Sequence, residues 1–307
     1  MAGSIKKFLI GASVLASATA IATAPAQALT LTPSSIEFNT ENYQTYTGGS
    51  DGVFEPNDLS AAVTALTDND PTSNVELWYT SEHSSANVGF TGQFDSKTLG
   101  THTVSVSSVT RKDWAIFGDQ WLAGFLAANP EINTIWTGLS SADKETLKFF
   151  LKRTGLSRSG DPNIGALTLD EAKGSIELAL VGHLDLKPRI KAGQYKMGNR
   201  LFDGFLSQES KNINGPILAS EVAKLTVDGK TYYAYSFNPT PSGIAASDDQ
   251  ESYTGIYRYD PLITLTPTTP PTTPPTTPPT QSVPEPTAIG GLLLLGCLMA
   301  TRRRLAS

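Results

Sequence analysis

The chain has 307 residues with 23 Lys and Arg against 29 Asp and Glu, a formal net charge of −6. Between residues 29 and 281 there are 18 basic and 28 acidic side chains, a balance that argues against a nucleic acid or an anionic lipid as partner, since either needs clustered basic residues. The only cysteine, Cys297, lies in an apolar tail, so the body has no disulfide, thiol nucleophile or zinc–thiolate site. It must rest on its apolar core, and about 250 residues suffice for one.

Residues 1–28 have the layout of a secretory signal peptide: Lys6 and Lys7, an apolar stretch from Phe8 to Ala22, and an Ala26-Gln27-Ala28 cleavage site. The stretch is too rich in Ala, Ser and Thr for a lasting anchor. Export by the Sec machinery with cleavage after Ala28 follows, and a single domain over residues 29–265 is expected. Within it, the acidic loop DNDPTSNVE presents Asp68, Asp70, Asn74 and Glu76, hard oxygen ligands of the kind calcium prefers. The loop fails the EF-hand template, since Ser73 stands at the sixth position and Tyr79 at the twelfth, and a solvated loop is the stronger reading. NVELWYTSE and NVGFTGQFD read as strands. His83 beside Glu82 is either an acid/base pair or part of a solvated loop. THTVSVSSVT is a further strand, and His102 within it reads as exposed.

Helical periodicity is confined to one block. Trp114, Phe117, Trp121 and Phe125 share a face of DWAIFGDQWLAGFLAANP, with Asp113 as N-cap and Asn129-Pro130 as the stop. EINTIWTGL continues with Ile132, Ile135, Trp136 and Leu139. SSADKETLKFFLKRTG follows, capped by Ser140 or Ser141, with Leu147, Phe150 and Leu151 inward and Gly155 as a left-handed C-terminal residue. An aromatic stripe at this spacing belongs to a core more often than to a ligand site. SRSGDPNIG, with Arg158 and Asp161, is a connecting loop by default, although it could cover a site.

Beyond this block the period is two. GALTLDEAKG and SIELALVGHLDL form a strand pair, the second with Ile176, Leu178, Leu180, Leu184 and Leu186 on one face and Glu177, His183 and Asp185 on the other. AKLTVDGKTYYAYSF is a hairpin turning on Asp228-Gly229. SDDQES offers a second weak calcium candidate in Asp248, Asp249 and Glu251. SYTGIYRYDP is the last strand. Tyr232, Tyr233, Tyr235, Tyr253, Tyr257 and Tyr259 could form a sugar-stacking face, but tyrosine is foremost a good strand residue. Antiparallel hairpins around a central block of about three helices define an α+β fold. No G-x-S-x-G, H-E-x-x-H, P-loop or G-x-G-x-x-G is present, so neither a catalytic site nor a cofactor is expected.

Residues 266–282 repeat the unit TTPP, a polyproline II spacer of on the order of 45 Å with threonines open to glycosylation. After it come Val283-Pro284-Glu285-Pro286, an apolar run at 288–300 and Arg302-Arg303-Arg304. Thirteen helical residues cover ~20 Å, short of the ~30 Å hydrocarbon thickness. The arginines would hold the far end on the cytoplasmic side, as a transient stop-transfer helix. The two prolines keep the VPEP peptide extended and out of that helix, with Glu285 as the tail's only carboxylate.

In motif, order and spacing, residues 283–307 resemble the PEP-CTERM sorting signal of Gram-negative bacteria. The resemblance covers about 25 residues and says nothing of the domain before them. It implies an integral-membrane protease, exosortase, as partner, and passage through an inner-membrane intermediate to the cell surface, outer envelope or extracellular matrix. For the body, a structural or adhesive role without catalysis is expected, with exopolysaccharide as a potential partner. The alternatives are a secreted hydrolase of polysaccharide or ester bonds and a calcium-dependent carbohydrate-binding module.

Overall fold

The computed structural model describes residues 28–77, 88–156, 159–193, 196, 199–246, 252–259 and 265. The chain divides into two units between Thr268 and Thr269, and every described residue belongs to the first. The spacer, the sorting motif and the apolar tail lie outside the described residues.

The strands are β1 (Leu29–Thr30), β2 (Glu37–Phe38), β3 (Tyr43–Tyr46), β4 (Phe54–Pro56), β5 (Asn74–Leu77), β6 (Gly89–Ser96), β7 (Gly100–Ser108), β8 (Asn163–Asp170), β9 (Ser175–Gly182), β10 (Ala223–Val227), β11 (Lys230–Ala234), β12 (Pro239–Pro241) and β13 (Gly255–Tyr259). The helices are α1 (Leu59–Thr67), α2 (Arg111–Ala128), α3 (Pro130–Gly138), α4 (Ser141–Thr154), α5 (Lys187–Lys191) and α6 (Arg200–Glu209). An eight-stranded sheet runs β12-β13-β9-β8-β5-β3-β4, with β1 also paired to β8, and a five-stranded sheet runs β11-β10-β7-β6-β2. The ladders are antiparallel and the helices segregated, so the fold is α+β.

Alternation sets the layers. In β7, Thr101, Thr103, Ser105 and Ser107 face away from the core while Val104 and Val106 are fully buried. With Phe90 and Phe94 of β6 and Leu225 of β10, they meet Val75, Ile164, Leu167, Leu178 and Leu180 of the large sheet. Ala62, Ala65 and Leu66 of α1 complete this first core. A second core lies among the helices, where Trp114, Phe117, Trp121, Phe125, Ile132, Trp136, Leu151, Phe202 and Leu206 pack together. Tyr233 of β11 stacks on Phe117 at 4.5 Å, so the helical layer lies against that edge of the small sheet.

The hairpin at Asp228-Gly229 forms as its sequence requires. Both turn residues have positive φ, 48° and 82°, as a type I′ turn demands.

Four features depart from the sequence reading. Helix is not confined to 113–155. α1 is mostly Ala and Thr, so its apolar stripe is faint, and α6 is ten residues long with an interior Gly204 and with Phe202 and Leu206 as its buried residues; both nonetheless start at side-chain caps, Asp58 and Asn199. The N-cap of α2 is Thr110, and Asp113 sits three residues on, accepting from the Thr110 N–H and hydroxyl, both at 2.7 Å. A capping box displaces the expected start by one turn. Gly155 has φ 65° but ψ −168°, an extended glycine-only conformation rather than a left-handed helical one. A β-carbon there would lie 2.3 Å from Cδ1 of Trp114.

The fourth departure is His102, which is buried at 1% exposure rather than exposed. Between outward Thr101 and Thr103, the alternation points it inward. Its Nδ1 lies 2.7 Å from Oδ2 of Asp228, whose Oδ1 accepts from the Thr103 N–H.

Candidate functional site

Two places gather chemistry-bearing side chains. The first is a groove of about 670 Å³ on the helical layer. Helix α4 packs on α2 through Leu151, and Gly118 of α2 admits the stem of Lys152, whose Cγ would stand 3.3 Å from a β-carbon at that position. Leu122, Ala123 and Leu126 of α2, Trp136 of α3 and Phe149 of α4 line the apolar part. Phe149 is 53% exposed, although it belongs to a helix with an apolar inner side. The rim carries Lys148, paired with Glu145 at 3.1 Å, and Lys152, paired with Asp119 at 2.7 Å. The Arg153 guanidinium lies 5.7 Å over the Phe149 ring. A volume of this size suits a small ligand or an inserted side-chain cluster.

The second place is an acidic patch where the outer face of the large sheet meets the segment leading into β10. The register aligns Gln44, Glu76 and Asn163 in one cross-strand row. Glu221 reaches this row, its Oε2 accepting from the Asn163 N–H at 2.9 Å and from Asn163 Nδ2 at 3.2 Å. Burial pushes the Glu221 carboxyl well above the usual carboxylate range, and the charges of Asp161 and Glu76 raise it further against the two Asn163 donors. Residues 76, 161 and 221 are far apart in sequence, and only the shared row next to the Asp161 loop brings them together. No local motif could have announced this patch. Among the described residues, no group of three His, Cys, Asp or Glu is arranged to hold a metal ion.

The residues singled out from sequence are placed as follows. Asp68 Oδ1 accepts from the Asp70 N–H and its Oδ2 from the Ser73 hydroxyl, while Asp70 Oδ1 accepts from the Thr72 N–H. Asn74 lies fully buried on β5. These oxygens knit the loop to itself, and burial raises the Asp68 carboxyl despite the bonds it accepts. Asp248, Asp249, Glu251, Glu82, His83 and Arg158 lie outside the described residues. So do Ala26, Val283, Pro284, Glu285, Pro286 and Arg302 to Arg304; Ala28 is described, and exposed.

His183 Nε2 meets Arg189 Nη1 at 3.2 Å, while Asp185 Oδ1 accepts the N–H groups of Lys187 and Ile217. His102 turns its Nε2 inward and its Nδ1 to the half-exposed Asp228, the reverse of a catalytic pair whose Nε2 must reach substrate.

The tyrosines do not form one face. Tyr253 and Tyr257 are buried, and Tyr257 donates to the His183 carbonyl at 2.6 Å. Tyr233 and Tyr235 pack on the helical core and Tyr232 and Tyr259 on the sheet core. Burial raises the hydroxyls of Tyr235 and Tyr257, and that of Tyr259 to about 12.

No family model, curated protein or solved structure matches this chain. Among the described residues, no helix is long and apolar enough to cross a membrane.

Proposed function

We propose that this is an exported protein of the cell surface or extracellular matrix, handed to an exosortase-type protease by its tail, with a structural or adhesive role rather than a catalytic one. A single observation carries the reading: a signal-peptide layout at one end, and at the other a spacer, VPEP, a short apolar run and three arginines in fixed order. Each part has a physical task. The spacer sets the body off the membrane, the run of ~20 Å is too short to rest in the bilayer, and the arginines stop transfer.

The folded body is compatible with passive duty. Its histidines at 102 and 183 are engaged by Asp228 and Arg189, and its aromatic residues are spent largely on two cores. Exopolysaccharide is the partner class this location implies.

Mass measurement of the protein purified from its own cells tests the reading. Loss of residues 1–28 together with Arg302 to Arg304 is expected. Alanine at Pro284, Glu285 and Pro286 should leave the tail attached and the protein in the inner membrane. A mature chain that keeps its arginines, or an alanine variant trimmed and located like the parent, overturns it.

A further inference from the structure

The charge of the body is segregated. Residues 29–96 hold ten carboxylates and not one Lys or Arg. They build β1 to β6 and α1, and their acidic corner is the β3–β4 turn with β4, the edge strand of the large sheet. Asp51 is exposed there and Glu55 partly so. Two large apolar side chains of this segment are also exposed, Val53 at 52% and Leu59, the first residue of α1, at 51%. Val53 and Glu55 are two residues apart and therefore share a side of the extended chain.

On the helical layer the balance is opposite. Helix α4 carries Lys144, Lys148, Lys152 and Arg153 against Asp143 and Glu145. Its groove exposes Phe149 at 53%, and Ile116 of α2, 71% exposed, lies one turn before the rim residue Asp119. Arg153 makes no ion pair among the described residues; it only covers Phe149. A planar guanidinium over an open ring is suited to a carboxylate with an apolar neighbour. That is the chemistry of the opposite corner.

We infer that the acidic corner of one copy, led by Val53 between Asp51 and Glu55 and by Leu59 at the start of α1, docks in the α2–α4 groove of a second copy. Carboxylates of the corner meet Lys152 and Arg153, and the aliphatic side chains cover Phe149 and Ile116. Corner and groove are different surfaces of one chain, so the contact is head-to-tail, and repetition yields a chain of copies or a ring. An exposed edge strand is the part of a sheet most open to such use. A specific contact buries on the order of 1,000 Å² or more, so groove and rim must both take part.

The test is sedimentation of the protein purified from native cells, from about 1 to about 100 μM, where weak to moderate contacts populate. Variants are Lys152→Glu with Arg153→Glu in the groove, and Asp51→Lys with Glu55→Lys in the corner. All four positions are at the surface, and far-ultraviolet circular dichroism confirms that each variant folds. The parent should associate at 0.1 M salt and dissociate at 1 M, as the screening length falls from ~10 Å to ~3 Å. Each charge-reversed variant alone should associate at least tenfold more weakly.

An equimolar mixture of the two should recover association, because each then offers the other a complementary partner. A mixture that stays monomeric, or a parent monomeric at 100 μM, overturns the inference. So does a parent that stays monomeric while an acidic polysaccharide binds the groove, which would make the surface a glycan site. The trimmed masses of the same samples report sorting independently of assembly.

Discussion

Asp113 is buried at 4% exposure and accepts four hydrogen bonds: from the Thr110 N–H and hydroxyl at 2.7 Å each, from Tyr233 Oη at 2.9 Å and from Lys224 Nζ at 3.0 Å. Replacing it with alanine removes the reciprocal half of the capping box, worth ~1 kcal/mol. It strands the Tyr233 hydroxyl, ~1 kcal/mol, and the Lys224 ammonium. The lysine side chain is 31% exposed and partly rehydrates, so its share is ~1–2 kcal/mol rather than the full cost of a buried charge. The sum is ~3–4 kcal/mol, a fall of roughly 10 °C in melting temperature for a domain of this size.

The loss is also pH-dependent. Burial alone would raise the Asp113 carboxyl, but the Thr110, Lys224 and Tyr233 donors outweigh it and hold it below the usual range. The folded state then binds fewer protons than the unfolded one. The stabilisation is complete above the unfolded value of ~3.9 and disappears as pH falls through the depressed folded one. Urea unfolding followed by tryptophan fluorescence measures this directly, since Trp114 is the next residue and is fully buried. The gap between parent and Asp113→Ala should be widest near pH 6 and narrow toward pH 2. A loss below ~1 kcal/mol, or a gap that does not close in acid, refutes the reasoning.

Three further substitutions test the packing and the acidic patch. Glu221→Gln should be more stable than the parent at pH 7 and equal to it near pH 4. The raised carboxyl means the folded state holds its proton longer, so stability is present while Glu221 is protonated and is lost as pH rises past the unfolded value; urea midpoints at the two pH values decide, and a variant weaker at both would be contrary evidence. Gly155→Ala forces a β-carbon to 2.3 Å from Trp114 at positive φ and should cost ~3 kcal/mol, whereas Gly193→Ala, also at positive φ but with nothing within 4 Å, should cost ~1 kcal/mol. Equal losses at the two glycines would show that backbone strain, not the tryptophan, governs the first.

What the sequence made legible was local. Asp228-Gly229 between alternating runs announced its hairpin because a type I′ turn needs positive φ at both positions. The 3.6-residue spacing of Trp114, Phe117, Trp121 and Phe125 gave the buried face of α2, and all four are buried. Errors arose where two rules competed. Asp113 looked like a cap because it precedes the aromatic run, yet Thr110 could cap and use Asp113 as its partner. Polarity alone assigns His102 to the surface, although its neighbours Thr101 and Thr103 fix which way it points. The Glu76–Asp161–Glu221 patch was beyond any such reading. Its members meet only after β5 and β8 pair and the segment before β10 crosses to them.

The absence of cysteine from the body makes the junction between its two cores important. A layered protein without staples can come apart at its weakest layer. Here β10 serves both layers at once. Leu225 and Val227 point into the sheet core, while Lys224, on the opposite face, reaches Asp113 at the start of α2. Its partner β11 repeats the arrangement, with Tyr232 packed on the sheet core and Tyr233 stacked on Phe117 while donating to the same carboxylate. Opening the helical layer would therefore expose Phe117 and leave Asp113 charged without its lysine and tyrosine. The sheet core cannot lose β10 without tearing the same contact. One hairpin and one carboxylate thus couple the layers, and the protein has the means to unfold as a unit where a disulfide would otherwise be needed.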